Sequence, residues 1–127
     1  MMYTFSFEKL EVWKESIALS KNIYTLTKKF PKEEKFGLVN QLRRSVNSIS
    51  SNLAEGTSRD TSKDKAHFTT MAYSSLMEVL NHLIISQELN YISEVNYLEI
   101  RKQISKISNL LNGLKKAQLK NSLTKNK

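Results

Sequence analysis

The side chains of this sequence that could bind a metal or transfer a proton are two histidines and twelve acidic residues. A di-metal site in a helical bundle takes two Glu-x-x-His pairs and two further glutamates. Glu78 has Asn81 at that spacing, His82 comes one residue too late, and no glutamate stands three residues before His67. The two histidines are also roughly 22 Å apart along one helix. The sequence therefore predicts no metal site and no cofactor.

Nucleophilic chemistry also lacks its usual arrangements. The chain has no cysteine, so it offers neither a catalytic thiol nor a thiolate ligand. Serines are numerous, but none lies in a Gly-x-Ser-x-Gly elbow. No glycine-rich loop could bind a phosphate through its backbone. We therefore expect a protein that is not an enzyme.

Two glutamates, Glu55 and Glu78, lie on helix flanks that are otherwise made of Ser, Asn and Gln. One interpretation makes them a pair of acids in a reactive site. The other makes them hydrogen-bond acceptors for arginine, asparagine or serine at a contact between helices or subunits, where they fix the packing register. We favour the second interpretation, because no nucleophile or metal ligand accompanies them.

The stretch from Gln41 to Arg59 carries two parallel helical stripes. The apolar stripe, which we expect to face the core, is Leu38, Leu42, Val46, Ile49 and Leu53. A polar stripe repeats the same steps one residue earlier and should set how closely a neighbouring helix or subunit packs. The polar stripe and three later residues form a candidate packing or assembly seam. Its members are Gln41, Ser45, Ser48, Asn52, Glu55, Gly56, Ser74 and Glu78.

The first two helices can be placed from local signals. Ser6 is a candidate N-cap for helix one, and Pro31 ends that helix because it disfavours α geometry at the residue before it. Helix two is predicted from Glu33 to Glu55, with Gly56 as a left-handed terminator.

Helices three and four follow in the same way. Thr61 and Asp64 resemble a capping box at the start of helix three, and Ser93 starts helix four. Four helices with short polar links predict an all-α, antiparallel up-down-up-down bundle over residues 1–114, followed by a basic, frayed tail over residues 115–127. The apolar arcs of helices one to three are wider than such a bundle needs, which predicts self-association.

A net charge of +8 and a pI near 9.7 favour anionic partners. Five of the excess charges belong to the tail, which contains five lysines and no acid. The candidate nucleic-acid-binding residues are Arg43, Arg44, Arg59, Lys63, Lys65, Lys115, Lys116 and Lys120. For those before residue 115 a solvated helix surface is the alternative, because acids are interleaved with them.

The sequence gives no indication of export or membrane insertion. The first residues lack the basic, apolar and small-residue regions of a secretory signal. The longest apolar run is far shorter than the roughly 18 residues that a spanning helix requires. Together with the absence of cysteine, these features predict a cytoplasmic protein.

Several segments occur in a recognisable order, namely FEKLEVWKES, FPKEEKFGLVNQLRRSVNSISSNLAEGTSR, AYSSLMEVL and LNYI. In this the chain resembles the four-helix-bundle proteins encoded in 23S ribosomal RNA intervening sequences, over nearly all of its length up to about Leu114. One departure is Ser74, where the family often has glycine. The family has no established catalytic residues, so the matching residues are signature positions only: Trp13, Gln41, Arg43, Arg44, Ser48, Asn52, Glu55, Gly56 and Glu78.

The resemblance implies a cytoplasmic bacterial protein that assembles into a ring-like homopentamer and whose role is mostly undefined. A related protein is the accessory variability determinant of diversity-generating retroelements, which associates with a reverse transcriptase and nucleic acid. Two functions remain open. One is a non-enzymatic oligomeric accessory protein that binds RNA or DNA electrostatically, and the other is a protein-interaction scaffold, for example for a reverse transcriptase.

Overall fold

The structure is a computed structural model that describes residues 2–125, with side-chain environments through residue 121. Across residues 2–125 the chain forms no β strand. Its four α helices are α1 Glu11–Thr27, α2 Leu38–Thr57, α3 Ser62–Glu88 and α4 Glu94–Lys125. The all-α prediction is thus confirmed, and the four helices agree with a four-helix bundle.

Every helix buries one apolar stripe in a shared core. The predicted stripe of α2 is confirmed at Leu42, Val46, Ile49 and Leu53, all of which are at most 2% exposed. Its partners on the other helices include Leu19, Ile23, Leu76, Val79, Leu83, Ile104, Ile107 and Leu111. Burying one such side chain contributes roughly 1.5–3 kcal/mol, so this apolar core is the main force that holds the helices together.

The first and last helices are neighbours, although they lie at opposite ends of the sequence. Lys106 of α4 donates a hydrogen bond to Glu15 of α1, and Asn22 of α1 donates one to Gln103 of α4. Other inter-helix bonds join α1 to α2, α2 to α3 and α3 to α4, among them Asn47–Tyr24, Ser75–Ser48 and Thr69–Gln118. The order of contacts around the core is therefore α1, α2, α3, α4 and back to α1.

The predicted starts of helices three and four are confirmed by their caps. The Asp64 backbone N–H donates to Thr61 Oγ1 at 3.1 Å, and the Asn96 N–H donates to Ser93 Oγ at 3.1 Å. Each hydroxyl satisfies one of the N–H groups that a helix leaves open in its first turn. These caps are local, which is why the sequence alone located them.

The first two helices begin later than predicted. Ser6 starts a short 3₁₀ helix, Ser6–Lys9, and the α helix follows only from Glu11. Likewise, residues 32–34 form a 3₁₀ turn and α2 begins at Leu38 rather than Glu33. Gly37 separates the two pieces, because its φ of −103° and ψ of −112° lie outside the helical region.

The turn that ends α3 is fixed by Asn90, which takes a left-handed φ of 62°. The Tyr91 N–H donates to the Ser86 carbonyl and the Asn90 N–H to the Gln87 carbonyl, both at 2.9 Å, as in a Schellman motif. The Tyr91 hydroxyl then donates to the Glu34 carboxylate at 2.8 Å, which raises the pKa of the phenol above its ordinary value. This bond joins the α3–α4 turn to the α1–α2 connection.

The role predicted for Gly56 is wrong. Every glycine in the described range has negative φ, and α2 continues past Gly56 to Thr57. Gly56 is buried where α2 meets α3, and a β-carbon added to it would lie 2.8 Å from the Phe68 β-carbon. The residue is therefore needed for close helix approach and not for a left-handed turn.

The expected end of regular structure at Leu114 also differs from the structure. Helix α4 runs on to Lys125, so the lysines at 115, 116 and 120 lie on a helix. Residues 126 and 127, which complete the predicted tail, lie outside the described residues. The division into a bundle and a separate tail remains a prediction.

Two glycine substitutions should change stability in opposite directions. In Gly56→Ala, the added methyl group meets Phe68, and overpacking of about 1–3 kcal/mol exceeds the helix-propensity gain of about 1 kcal/mol. In Gly113→Ala, the methyl group has no neighbour within 4 Å, so the variant should gain about 0.5–1 kcal/mol. Urea unfolding of both variants measures this. Equal stabilisation by the two changes would show that the α2–α3 contact has room for a methyl group.

Candidate functional site

The charge of the protein lies on one side of the molecule. Residues 1–35 and 94–127 contain 15 of the 20 basic residues and 7 of the 12 acidic ones, a balance of +8. Residues 36–93 contain five of each and are neutral. Since α1 packs against α4, the two outer segments of the sequence come together in space. We call them the basic half and residues 36–93 the neutral half.

The seam between α1 and α4 is joined by polar side chains. Lys106 Nζ lies 2.9 Å from Glu15 Oε1, and this hydrogen bond raises the pKa of the lysine above its ordinary value. Further along, Asn22 Nδ2 donates to Gln103 Oε1 at 2.9 Å. Other lysines are exposed on the same two helices, including Lys14, Lys21, Lys102 and Lys116, and Lys28 is exposed directly after α1. A polyanion could lie along this surface, which the sequence analysis did not identify.

Part of the predicted nucleic-acid-binding set gathers at one end of the molecule. There Thr69 Oγ1 donates to Gln118 Oε1 at 2.8 Å and joins the start of α3 to the last turns of α4. A cleft of about 520 Å³ next to this bond is lined by Lys65, Gln118 and Asn121, among others. The predicted lysines near this end in sequence are Lys63, Lys65, Lys115, Lys116 and Lys120. We call this region the basic end.

The three predicted arginines are separated from one another. Arg59 is exposed and lies over the Phe68 ring at 4.5 Å, on the link between α2 and α3. Arg43 Nε donates to Thr27 Oγ1 at 3.0 Å, and its guanidinium lies 4.6 Å from the centre of the Tyr24 ring. Arg43 therefore joins α1 to α2. Arg44, the next residue, is exposed on a different side of α2.

Arg44 lines a small polar cleft between α2 and α3. The cleft has a volume of about 220 Å³, and its lining residues are Gln41, Arg44, Ser45, Ser48 and Glu78. Ser75 Oγ donates to Ser48 Oγ at 2.9 Å and fixes how the two helices align there. Arg44 and Glu78 have opposite charges, yet they form no ion pair within 4.0 Å in the described structure. The polar cleft thus presents an unpaired cation and an unpaired anion to solvent.

The predicted seam is divided between the α2–α3 contact and the surface. Ser45, Asn52 and Gly56 are buried, and Asn52 Nδ2 donates to the Ser48 carbonyl at 2.9 Å. Gln41, Glu55, Ser74 and Glu78 are exposed. Glu78 lines the polar cleft and Glu55 does not, so the cleft holds one of the two acids considered as a reactive pair.

The exposed surface of α2 and α3 differs from the rest of the molecule in composition. No lysine occurs between residues 36 and 62 or between residues 66 and 101. The exposed positions there include Asn40, Ser51, Ser74 and Asn81. Lysine is depleted in protein–protein interfaces. The lack of lysine is the feature that this surface shares with such interfaces.

The two histidines do not lie together in a site. His67 is exposed and contacts the Phe68 ring edge-on, while His82 is partly buried with no partner for Nδ1. Within the described residues, no group of three or more His, Asp or Glu is placed to hold a metal ion.

Comparison with known proteins places this arrangement in a family. The model of the 23S rRNA-intervening sequence protein family matches residues 8–113. The chain belongs to this family. The match covers α1, α2, α3 and most of α4, and it confirms the resemblance found in the sequence. No curated protein matches the chain.

A solved structure supports the same assignment. It is the 1.70 Å crystal structure of a protein with unknown function from the S23 ribosomal protein family of Bacteroides thetaiotaomicron VPI-5482. The two chains are 25% identical with a TM-score of 0.76, and the similarity covers 83% of this chain and 95% of the other. The intervening-sequence fold is therefore shared over nearly the whole length of the solved chain. In the described part of our chain no helix has the length and apolarity to cross a membrane.

Proposed function

We propose that this intervening-sequence protein is a non-enzymatic, cytoplasmic, self-associating accessory protein that binds RNA or DNA through phosphate contacts on its basic half. The observation that carries the proposal is the packing of α1 against α4, because it brings together segments whose described residues, 2–35 and 94–121, contain 13 basic and 7 acidic residues. The basic end extends this surface with Lys63 and Lys65.

Binding of this kind reads the backbone of a nucleic acid and not its sequence. Lysine contacts a phosphate as a point charge, and each contact releases condensed counterions. The free energy therefore depends on the number of lysines that reach phosphates and on the salt concentration. The exposed lysines of α1 and α4 carry their ammonium groups on flexible side chains, which can adapt to an irregular strand.

An antiparallel up-down-up-down arrangement is part of the proposal. It is supported by the short connections between consecutive helices and by the order of the contacts. Tyr24 of α1 bonds to Asn47 of α2, and Thr27, three residues later in α1, bonds to Arg43, four residues earlier in α2. The residue numbers of the two helices therefore run in opposite directions. Asn22–Gln103 and Glu15–Lys106 show the same reversal between α1 and α4.

Self-association through the neutral half, in a ring-like homopentamer, completes the proposal. The exposed surface of α2, and of α3 beyond Lys65, lacks lysine, and in the described structure neither Arg44 nor Glu78 of the polar cleft has an ion-pair partner. In an assembly, Arg44 of one copy pairs with Glu78 of a neighbouring copy. This leaves the basic halves exposed and repeats them around the assembly.

Salt titration tests nucleic-acid binding directly. Four to six phosphate contacts with a single strand give a slope of log K against log salt of about −3 to −4, so affinity should fall roughly 50- to 300-fold between 50 and 200 mM salt. Fluorescence anisotropy with a labelled single-stranded RNA measures the slope. Absence of binding at 50 mM salt would refute the proposal.

A protein-interaction scaffold, for example for a reverse transcriptase, is the second candidate. Exposed apolar side chains favour it, since Phe36, Val95 and Leu98 are 85%, 66% and 56% exposed. Such side chains commonly mark protein contacts when they cluster. Retention of a reverse transcriptase on the immobilised protein after nuclease treatment would support the scaffold, and loss of retention would leave nucleic acid as the bridge.

A further inference from the structure

A second groove, between α1 and α4, lies in the middle of the basic half. Its volume is about 430 Å³, within the range of about 300–1,000 Å³ that is typical of small-ligand sites. The residues that line it come from the second half of α1, from Lys29 just after it, and from the first turns of α4.

One part of the groove is apolar. Leu26 of α1 is half-buried, and Ile100 of α4 is 6% exposed. Together they offer an aliphatic surface on which a flat group can pack. Apolar side chains can hold the face of an extruded base, and single-stranded RNA is read by hydrogen bonds to the Watson–Crick edges of splayed-out bases.

Three carboxamides surround this surface. Asn22 and Gln103 bond to each other, which leaves the Asn22 carbonyl oxygen as an acceptor and the Gln103 amide nitrogen as a donor. The Asn96 side chain has no hydrogen-bond partner in the described structure, so both of its functions are available. The groove therefore offers neutral donors and acceptors side by side.

Two charged residues, Glu99 and Lys29, and the hydroxyl of Thr25 complete the lining. A carboxylate such as that of Glu99 only accepts hydrogen bonds, so it favours a base edge that presents donors. Guanine is the base that presents two adjacent donors, N1–H and N2–H, next to an acceptor, O6. Uracil presents carbonyl oxygens on both sides of its single N–H and would place them against the carboxylate. Lys29 supplies a cation for a phosphate.

We propose that this groove binds one unpaired guanine nucleotide of a single-stranded RNA. Glu99 accepts hydrogen bonds from N1–H and N2–H, the Asn96 amide donates to O6, and Lys29 contacts the phosphate. Leu26 and Ile100 contact the face of the base. The inference rests on the proposed function, since the basic half attracts the strand and the groove then selects the base.

The test compares two labelled RNAs, a uridine dodecamer and the same dodecamer with one central guanosine. A good bidentate contact discriminates by about 1–3 kcal/mol, so the guanosine strand should bind at least about tenfold more tightly. In Glu99→Gln, this preference should fall below about twofold, because the carboxylate that accepts both donors is gone. Affinity for the uridine strand should stay close to wild type.

Glu94→Gln is the matched control, because Glu94 is exposed in the first turn of the same helix, carries the same charge and does not line the groove. It should keep the guanosine preference. Equal binding of both strands by the wild-type protein would overturn the guanine site and leave the electrostatic function intact. If neither strand binds at 50 mM salt, the proposed function fails. Titrations with guanosine monophosphate and with ribose 5-phosphate then test the guanine site separately. Equal binding of the two compounds, or binding of neither, would overturn the guanine site.

Discussion

Replacing Lys21, Lys102 and Lys116 together with glutamine should weaken binding of a single-stranded RNA about 100-fold at 0.1 M salt. All three lysines are exposed on α1 or α4. Each phosphate contact with a single strand contributes about 0.7 to the salt slope, so three lost contacts lower log K by about 2 at this salt concentration. Anisotropy titrations at several salt concentrations should also show a slope that is shallower by about 2.

The matched control replaces the same three lysines with arginine, which keeps the charge. Its affinity should stay within about threefold of the wild-type value, and its salt slope should differ by no more than about 0.5, because the phosphate contacts are electrostatic. The three lysines are exposed and do not belong to the buried core, so both variants should unfold at the wild-type urea concentration. An unchanged affinity in the glutamine variant would contradict binding through the basic half.

Reversing the charge of either Arg44 or Glu78 should dissociate the assembly. In Arg44→Glu, two carboxylates meet where a guanidinium and a carboxylate pair in the proposed interface, and Glu78→Arg places two guanidinium groups there. Close charge pairs across an interface have coupling energies of about 1.5–7 kcal/mol, so each single variant should weaken self-association at least about tenfold. Light scattering at micromolar concentration should show a lower mass.

The double variant, Arg44→Glu with Glu78→Arg, restores opposite charges and should recover the wild-type mass. This recovery isolates the pair from other effects of each change. Glu88→Arg is the control, because Glu88 is exposed at the end of α3 and does not line the polar cleft. A double variant that stays dissociated would refute the pairing of Arg44 with Glu78, and a monomeric wild-type protein would refute self-association itself.

Much of the fold could be predicted because its signals are local. The three–four spacing of Leu42, Val46, Ile49 and Leu53 determines a helix face, and these side chains are buried as expected. The caps at Thr61 and Ser93 join residues three apart and were found in the sequence. The family was recognised from the same local segments and is confirmed over residues 8–113.

The role of Gly56 could not be predicted, because it depends on a residue of another helix. Next to a polar link, glycine most often ends a helix in the left-handed region. Here Phe68 of α3 lies so close that a β-carbon has no room. Likewise, Arg43 and Arg44 are adjacent in sequence, but neighbouring residues point about 100° apart on a helix. One therefore packs against α1, while the other lines the polar cleft.

The sequence by itself determined the four helices, the apolar face of α2 and the family. Only the tertiary structure decided where the charge lies and which polar residues share a groove. The α1–α4 contact joins residues more than 80 positions apart, such as Asn22 and Gln103, and no periodicity within either helix indicates it. That contact brings the basic segments together and forms the groove that holds Glu99, because packing of the apolar core, and not any local pattern, sets which helices are neighbours.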